Sequence, residues 1–255
     1  MQEQHVQEAA DRPAGTSTSG LWVFGYGSLC WHPGFEYDKS LTGFVRGWAR
    51  RFWQGNITHR GTEGKPGRVA TLVEDKEGVV WGRAFQIKGE AALPYLDARE
   101  CKLGGYLTQL TTFYPRGQRE PFLAVLYVAT PTNKHWLGDA PLTDMARQIV
   151  DSFGPSGHNV EYVLRLANFM REHIPDAEDE HLFSLEILIR TFIKEKRLCL
   201  ATLMGPDVAP LRSDSDSESS SDEAEGAVGG EPAPRPGSFQ YTSRMPPKKL
   251  RCLNI

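Results

Sequence analysis

The amino-acid sequence predicts an α+β fold in which strands come first and helices follow. Strand signals dominate from Leu21 to about residue 130, whereas the chain beyond residue 140 shows helical periodicity. The 255 residues contain no evident internal repeat, and their 40% hydrophobic content suffices for a core of useful size. This order of elements favours a curled sheet with helices packed at its flank.

The strand region divides into short runs that are rich in β-branched and aromatic residues. These runs are residues 21–24, 43–55, 68–73, 79–87, 107–114 and 122–129. Glu74–Gly78 separates two of them and predicts a hairpin turn whose glycine supplies a positive φ. Phe122–Ala129 is continuously apolar, as expected of a strand that is buried on both faces.

The helical region shows three amphipathic faces, each ended by a helix-breaking signal or a polar run. The predicted inward residues are Leu142, Met145, Ile149 and Phe153, then Val160, Val163, Leu164, Ala167 and Met170, then Leu182, Leu185, Ile189 and Phe192. One short helix is also predicted among the strands, over Ala91–Glu100, because Pro94 sits where a first helical turn tolerates proline.

Both ends of the chain lack a hydrophobic pattern, so we expect a disordered tail over residues 1–20, one domain over 21–200 and a disordered tail over 201–255. Ser213–Glu225 carries six acids and no base, which suits acid-directed phosphorylation or a protein partner. Without this run the net charge of −3 becomes about +3, too small to predict nucleic-acid binding. Asn254 fits a prenylation box at Cys252 poorly.

The four cysteines lie far apart, as is typical of free thiols in a reducing compartment. Residues 1–20 have no apolar signal segment, and no stretch approaches the roughly 20 apolar residues that span a bilayer. We therefore expect a cytosolic protein without a membrane span. The histidines show no metal-ligand spacing, and no spacing supports Cys30 or Cys101 as a nucleophile paired with histidine.

The first candidate site is Gly25-Tyr26-Gly27-Ser28, which follows directly after a strand. Two glycines around an aromatic residue let the backbone approach a ligand, and consecutive N–H groups can bind an anion. The alternative is a tight turn or a β-bulge without a ligand. The pattern lacks the Gly-Lys-Ser/Thr ending of a phosphate loop and the third glycine of a dinucleotide-binding motif.

The second candidate site is Tyr95–Glu100, where Asp97, Arg99 and Glu100 end the short predicted helix. Leu103-Gly104-Gly105-Tyr106 follows, and its glycines again bring backbone and a phenol together. The alternative is a solvated helix end in which Arg99 pairs with one of the two acids.

Several short motifs, taken together, resemble the ChaC family of glutathione-specific γ-glutamylcyclotransferases over residues 21 to about 195. They are Phe24-Gly25-Tyr26-Gly27-Ser28-Leu29 with Trp31, Arg50–Gly55, His59-Arg60-Gly61, Pro66–Val69, Leu72–Asp75, Trp81-Gly82, Tyr95-Leu96 with Arg99-Glu100, Gly104-Gly105-Tyr106, Phe113-Tyr114-Pro115, Tyr127–Thr130, Ser156–Asn159 with Glu161-Tyr162, and Asp179–Leu182. The resemblance implies a γ-glutamylcyclotransferase-like fold, which is a small curled mixed sheet or barrel flanked by helices.

The same resemblance assigns roles to both candidate sites. It implies that Val23, Phe24, Gly25, Tyr26, Gly27 and Ser28 form the substrate-binding loop and that Glu100 is the catalytic acid–base group. Tyr106 is a further candidate to hydrogen-bond the substrate. The reaction is an attack by the α-amine of the γ-glutamyl residue on its own γ-carbonyl, so no cofactor and no metal are expected. Cys30 stands where an aliphatic residue is more usual, and a packed, inert thiol is expected there.

Two other functions are compatible with these residues. One keeps the fold and broadens the substrate to other γ-glutamyl peptides or amines. The other is a non-catalytic binding or regulatory protein that acts on a partner through the acidic tail, and the intact Glu100 argues against it.

Overall fold

The computed structural model of the chain describes residues 20–88, 96, 105–117 and 119–205. Five strands form a closed barrel in the order β1-β3-β2-β4-β5. Their bounds are β1 Trp22–Gly25, β2 Tyr37–Asn56, β3 Gly67–Ile87, β4 Leu107–Pro115 and β5 Phe122–Val128. Neighbouring strands are antiparallel except β1 and β5, which run parallel with Val23 opposite Val125. The predicted α+β class, with a curled mixed sheet, is therefore confirmed.

β2 and β3 are unusually long and pair with each other along most of their length. The predicted hairpin at Glu74–Gly78 is wrong, because both flanking runs belong to β3 and both pair with β2. Gly78 has no positive φ. A Cβ atom there would instead lie 2.3 Å from the carbonyl oxygen of Trp48, so glycine is needed for the close approach of the two strands. The positive φ, +82°, belongs to Gly47 at the register shift in β2.

The helical layer follows the barrel in the chain. Its elements are α1 Leu142–Asp151, α2 Asn159–His173, α3 Glu180–Glu195 and α4 Leu200–Met204, with the short strands β6 Phe153–Gly154 and β7 Gly157–His158 between α1 and α2. The three predicted apolar faces are confirmed with one exception. Phe153 is exposed in β6, because α1 ends at Asp151 and Ser152 has extended backbone.

The core has two clusters, and β1 separates them. Phe24 belongs to the larger cluster, which lies between the barrel and the helices and includes Phe52 and Met145. Val23 belongs to the smaller one, with Leu29, Phe85, Leu96, Val125 and Tyr127 among its buried members. Successive side chains of a strand point to opposite faces, so one strand supplies both clusters. β5 is buried from Ala124 to Val128 as predicted, whereas Leu123 is exposed.

Some sequence-based predictions fall outside the described residues. They include both predicted disordered tails up to residue 19 and from residue 206, and the helix predicted over Ala91–Glu100 except for Leu96, which is helical and buried. Helix α4 continues beyond residue 200, where the predicted domain ends. Within the described ranges, none of the helices has the length and apolar character that crossing a bilayer requires.

Candidate functional site

The predicted substrate loop leaves the barrel at the end of β1. Val23, Phe24 and Gly25 are fully or nearly fully buried in the strand, whereas Gly27 and Ser28 are half-buried. A 3₁₀ turn over Ser28–Cys30 follows, and it uses the carbonyl oxygens of Gly27 and Ser28 as acceptors for the N–H groups of residues 30 to 32. The turn thus directs the chain back over the end of the barrel.

Helix α2 supports this loop from below through Tyr162, which is 5% exposed. A Cβ atom at Gly27 would lie 2.5 Å from the Tyr162 hydroxyl oxygen, so only glycine lets the loop approach the phenol this closely. The hydroxyl oxygen accepts a hydrogen bond from the Ala70 N–H of β3 at 3.2 Å. The ring packs edge-on against Trp31 and Phe52, which keeps the phenol in place.

Tyr26 attaches the loop to β5, the strand that pairs with β1 in parallel. Its hydroxyl donates a hydrogen bond of 2.5 Å to the carbonyl oxygen of Tyr127, at the end of β5. Two residues further along, Thr71 and Ala129 exchange two hydrogen bonds of 3.0 and 3.1 Å, which join β3 to the same end of β5. The loop is therefore held by the hydrogen bond of Tyr26 to β5 and by the close packing of Gly27 on Tyr162, both of which join residues that are distant in sequence.

The start of α2 is fastened to β3 by Asn159, which is fully buried. Its side-chain oxygen accepts from the Arg68 N–H at 2.7 Å, and its amide nitrogen donates to the Arg68 carbonyl oxygen at 2.8 Å. The side chain thereby replaces a neighbouring strand as the partner of both main-chain groups. The side chain of Arg68 donates to the carbonyl oxygens of Phe52 and Gly138. Burial lowers the pKa of its guanidinium group.

A charged group surrounds the first turn of α2. Glu161, 2% exposed, accepts from Arg60 Nη1 at 2.6 Å and from Arg165 Nε at 2.8 Å. Gly157 has a φ of +115°, and a Cβ atom there would lie 2.5 Å from Glu161 Oε2. His158 caps the helix by accepting from the Val160 N–H. Burial, followed by the nearby Arg60, lowers the pKa of His158, and the neutral ring is the form that can accept this bond.

Cys30 lies directly behind the loop and is completely buried. Its thiol donates to the Gly25 carbonyl oxygen at 3.2 Å. Burial raises its pKa to about 12, although Arg50 and Arg83 act in the opposite direction. The prediction of a packed thiol is therefore confirmed, and the raised pKa disfavours the reactive thiolate at neutral pH, so low reactivity stays a prediction. Cys101 lies outside the described residues.

Glu100, the predicted acid–base group, lies outside the described residues, and so do its neighbours Arg99 and Asp97. The described residues that flank Glu100 in the sequence are Leu96 and Gly105, and their neighbourhood is at this same end of the barrel. Leu96 is buried in the cluster that contains Leu29 and Tyr127. Tyr106, which begins the next described segment with Gly105, packs against that cluster.

The sequence-based assignment did not include Tyr162, which contacts the predicted loop, or Asn159, which fastens α2 to β3. Both occur in the quoted motif Ser156–Asn159 with Glu161-Tyr162, but the helical pattern directed attention to the apolar face of α2. The sequence did contain a signal, because the helical period places these polar residues on the inward face, where a polar group needs a hydrogen-bond partner.

The closed five-stranded barrel with its flanking helices is the fold of γ-glutamylcyclotransferases. A crystal structure from yeast, of a γ-glutamylcyclotransferase specific to glutathione, matches with a TM-score of 0.61 and 28% sequence identity. The match covers 68% of this chain and 97% of the yeast chain.

The chain belongs to the family described as ChaC-like protein, whose model matches residues 21–192. It is 52% identical over 177 residues to the mouse protein named glutathione-specific gamma-glutamylcyclotransferase 1, covering 68% of this chain and 79% of the mouse protein. The zebrafish protein of the same name is 48% identical over 180 residues, which cover 69% of this chain and 92% of that protein.

Proposed function

We propose that this chain is a glutathione-specific γ-glutamylcyclotransferase that converts reduced glutathione to 5-oxoproline and cysteinylglycine. The observation that carries the proposal is the 52% identity over 177 residues to the mouse enzyme of that name. The family match over residues 21–192 includes both the loop Val23–Ser28 and Glu100.

The reaction takes place within one substrate molecule. The α-amine of the γ-glutamyl residue attacks the γ-carbonyl carbon, a C–N bond closes the five-membered lactam, and the amide bond to cysteinylglycine breaks. The proton lost by the attacking amine must reach the departing amine. Holding the folded-back conformer can contribute roughly 7–11 kcal/mol in favourable cases, so the protein acts mainly by positioning and by moving one proton.

The loop supplies a hydrogen-bond donor for this positioning. Within the described part of the chain, the Gly27 N–H donates to no acceptor, and Gly27 is half-buried. A partly buried backbone N–H of this kind can bind the α-carboxylate of the substrate or the oxyanion that develops on the γ-carbonyl oxygen. The contacts of Tyr26 and Tyr162 support this role because they hold the loop before substrate arrives.

Glu100 acts as the general acid–base group in this proposal. Its place in the sequence supports the role, because it lies between Leu96, which packs with Leu29 and Tyr127, and Gly105, at the start of the segment that leads into β4. A carboxylate can accept the proton from the substrate amine and return it to the leaving amine. Burial of the Cys30 thiol and its raised pKa disfavour a competing nucleophile at the loop.

The test is release of 5-oxoproline from reduced glutathione and from γ-glutamyl-alanine by the purified full chain. We expect turnover of glutathione and little release from the second substrate, since the specificity claim requires that difference. Similar efficiency with both substrates would replace the claim by a broader γ-glutamyl cyclotransferase. Release from neither would favour a non-catalytic protein on the same scaffold.

Glu100→Gln tests the acid–base role, because glutamine keeps the size of the side chain and cannot exchange a proton. We expect it to lose nearly all turnover while its melting temperature stays within about 2 °C of the wild type. Glu120→Gln, at an exposed position between β4 and β5, is the matched control and should keep wild-type rates. Wild-type turnover by Glu100→Gln would rule out the mechanism.

Two finer points are part of the same proposal. We place the protein in the cytosol, where thiols stay reduced, and the free state of Cys30 and Cys199 is compatible with that location. The acidic run Ser213–Glu225 is proposed to contact a protein partner and to be dispensable for turnover.

A further inference from the structure

A cavity of about 350 Å³ lies between the β2–β3 ribbon and the N-terminal end of α3. None of its lining residues belongs to the loop Val23–Ser28. Ligand sites of small molecules start at roughly 300 Å³, so this volume suits a ligand of the size of an amino acid or a dipeptide.

The deep side of the cavity is basic and is built around Arg50, which is only 2% exposed. Its Nη1 donates to Asp179 at 2.5 Å, and its Nη2 donates to the Trp81 carbonyl oxygen. The Arg50 Nε is buried and has no hydrogen-bond partner among the described residues. Arg50 thus lies beneath the cavity as a buried, paired cation, and the donors that a ligand can reach are its neighbours.

Two further donors line the same cavity. Arg51 donates to the Arg50 carbonyl oxygen and forms no ion pair within the part of the chain that the structure describes. His181 accepts from the Phe52 N–H through Nε2 at 3.3 Å. Burial and then Arg51 lower the pKa of His181 to about 4. The ring is therefore neutral at pH 7 and carries its proton on Nδ1, which is a donor. Together these groups suit a carboxylate.

The outer side of the cavity is acidic. Asp75, Glu178 and Glu180 line it and are exposed, and none of them forms an ion pair with another described residue. Asp179 differs from them, because it is already paired with Arg50 and also caps α3 by accepting from the Leu182 N–H. The cavity thus offers cationic donors at depth and carboxylates at its rim, which matches a ligand that carries both charges.

We propose that this cavity is a second binding site, separate from the substrate loop, for a small peptide zwitterion. The ligand carboxylate binds Arg51 and the Nδ1–H of His181, and its ammonium group faces Glu178 and Glu180. Cysteinylglycine carries both charges and is the dipeptide released in the proposed reaction. Its choice as the probe rests on the proposed function, whereas the charge arrangement of the site does not.

Calorimetric titration of the full chain with reduced cysteinylglycine tests the site. We expect Arg51→Gln and Glu178→Gln each to weaken binding by about tenfold or more, because each removes one charged contact. Arg46→Gln is the matched control, since Arg46 lies on the same strand, outside the cavity, over the rings of Phe44 and Tyr114. It should bind as the wild type does.

Two capped probes assign each charge to its partner. N-acetyl-cysteinylglycine lacks the ammonium group, so it should bind the wild type weakly, and Glu178→Gln should weaken it no further. Cysteinylglycine amide lacks the carboxylate, so it should bind the wild type weakly, and Arg51→Gln should weaken its binding no further. Cysteinylglycine binding that stays within twofold in both variants, or no binding to the wild type, would overturn the proposal. The titration needs no turnover, so an absence of 5-oxoproline release would refute the proposed function alone.

Discussion

Replacing Gly27 by alanine tests whether the loop after β1 must lie directly against helix α2. The added Cβ would be 2.5 Å from the Tyr162 hydroxyl oxygen, and ordinary van der Waals contact begins at 3.4 Å, so the two groups must separate by about 1 Å. Tyr162 is buried, bonded to the Ala70 N–H and packed on Trp31, so we expect the loop to move. A displacement of this size can cost about 10²-fold in rate.

The assay is 5-oxoproline release at saturating glutathione, with circular dichroism to show that the variant is folded. Combining Gly27→Ala with Tyr162→Phe removes the hydroxyl and leaves the nearest ring atom at 3.7 Å, so the pair should recover about tenfold of the lost rate. Recovery stays incomplete because phenylalanine gives up the Ala70 hydrogen bond. Gly64→Ala, with nothing within 4 Å of its Cβ, is the control. A folded Gly27→Ala protein within twofold of the wild-type rate would refute the reasoning.

Three further predictions concern stability and reactivity. Asn159→Ala removes both partners of the Arg68 main chain, so urea titration should show a loss of about 2 kcal/mol or more in the free energy of unfolding, and an unchanged midpoint would contradict this. The folded pKa of His181, about 4, lies below its unfolded value, so its contribution is fully present above about pH 6.5 and is lost as the pH falls toward 4. After allowance for partial exposure, this contribution to the free energy of unfolding is about 1–2 kcal/mol. The free energy of unfolding should therefore depend less steeply on pH in His181→Gln than in the wild type, and equal slopes in the two proteins would exclude the contribution of His181. Burial protects Cys30, so iodoacetamide at pH 7.5 should leave Cys30 unmodified in the folded protein and should label the exposed Cys199. Mass spectrometry of the peptides measures the labelling of each cysteine, and equal labelling would be inconsistent with a buried Cys30 thiol.

Periodicity predicted the three longer helices because each of them buries one face, and residues such as Met145, Leu164 and Ile189 repeat at helical spacing. It gave no signal for α4, which buries none of its residues. It failed at Phe153, where a short strand between α1 and α2 exposes the ring. It also failed at Glu74–Gly78, because a turn and a bulged strand use the same polar residues and glycine. Only the neighbouring strand distinguishes the two, here through the approach of Gly78 to Trp48.

The candidate site likewise has a part that the sequence predicted and a part that only the structure shows. The loop Val23–Ser28 was predicted from its motif, since glycines beside a strand end can be read directly from the sequence. Its supports were not, because Tyr127 and Tyr162 lie more than a hundred residues after Tyr26 and Gly27, respectively, and no local pattern pairs them. The cavity at Arg50 and His181 likewise joins residues 131 positions apart.

The sequence by itself determined the class of fold, the family and the identity of the loop and of Glu100 as candidates, because these depend on local periodicity and on residue type. Tertiary structure alone decided what surrounds the loop, namely the phenol of Tyr162 beneath Gly27 and the contact of Tyr26 with β5. It also decided that Cys30 is buried and that a cavity forms beside α3. The physical reason is that burial, pKa and contact distance depend on groups that only the closed barrel and its helices bring together.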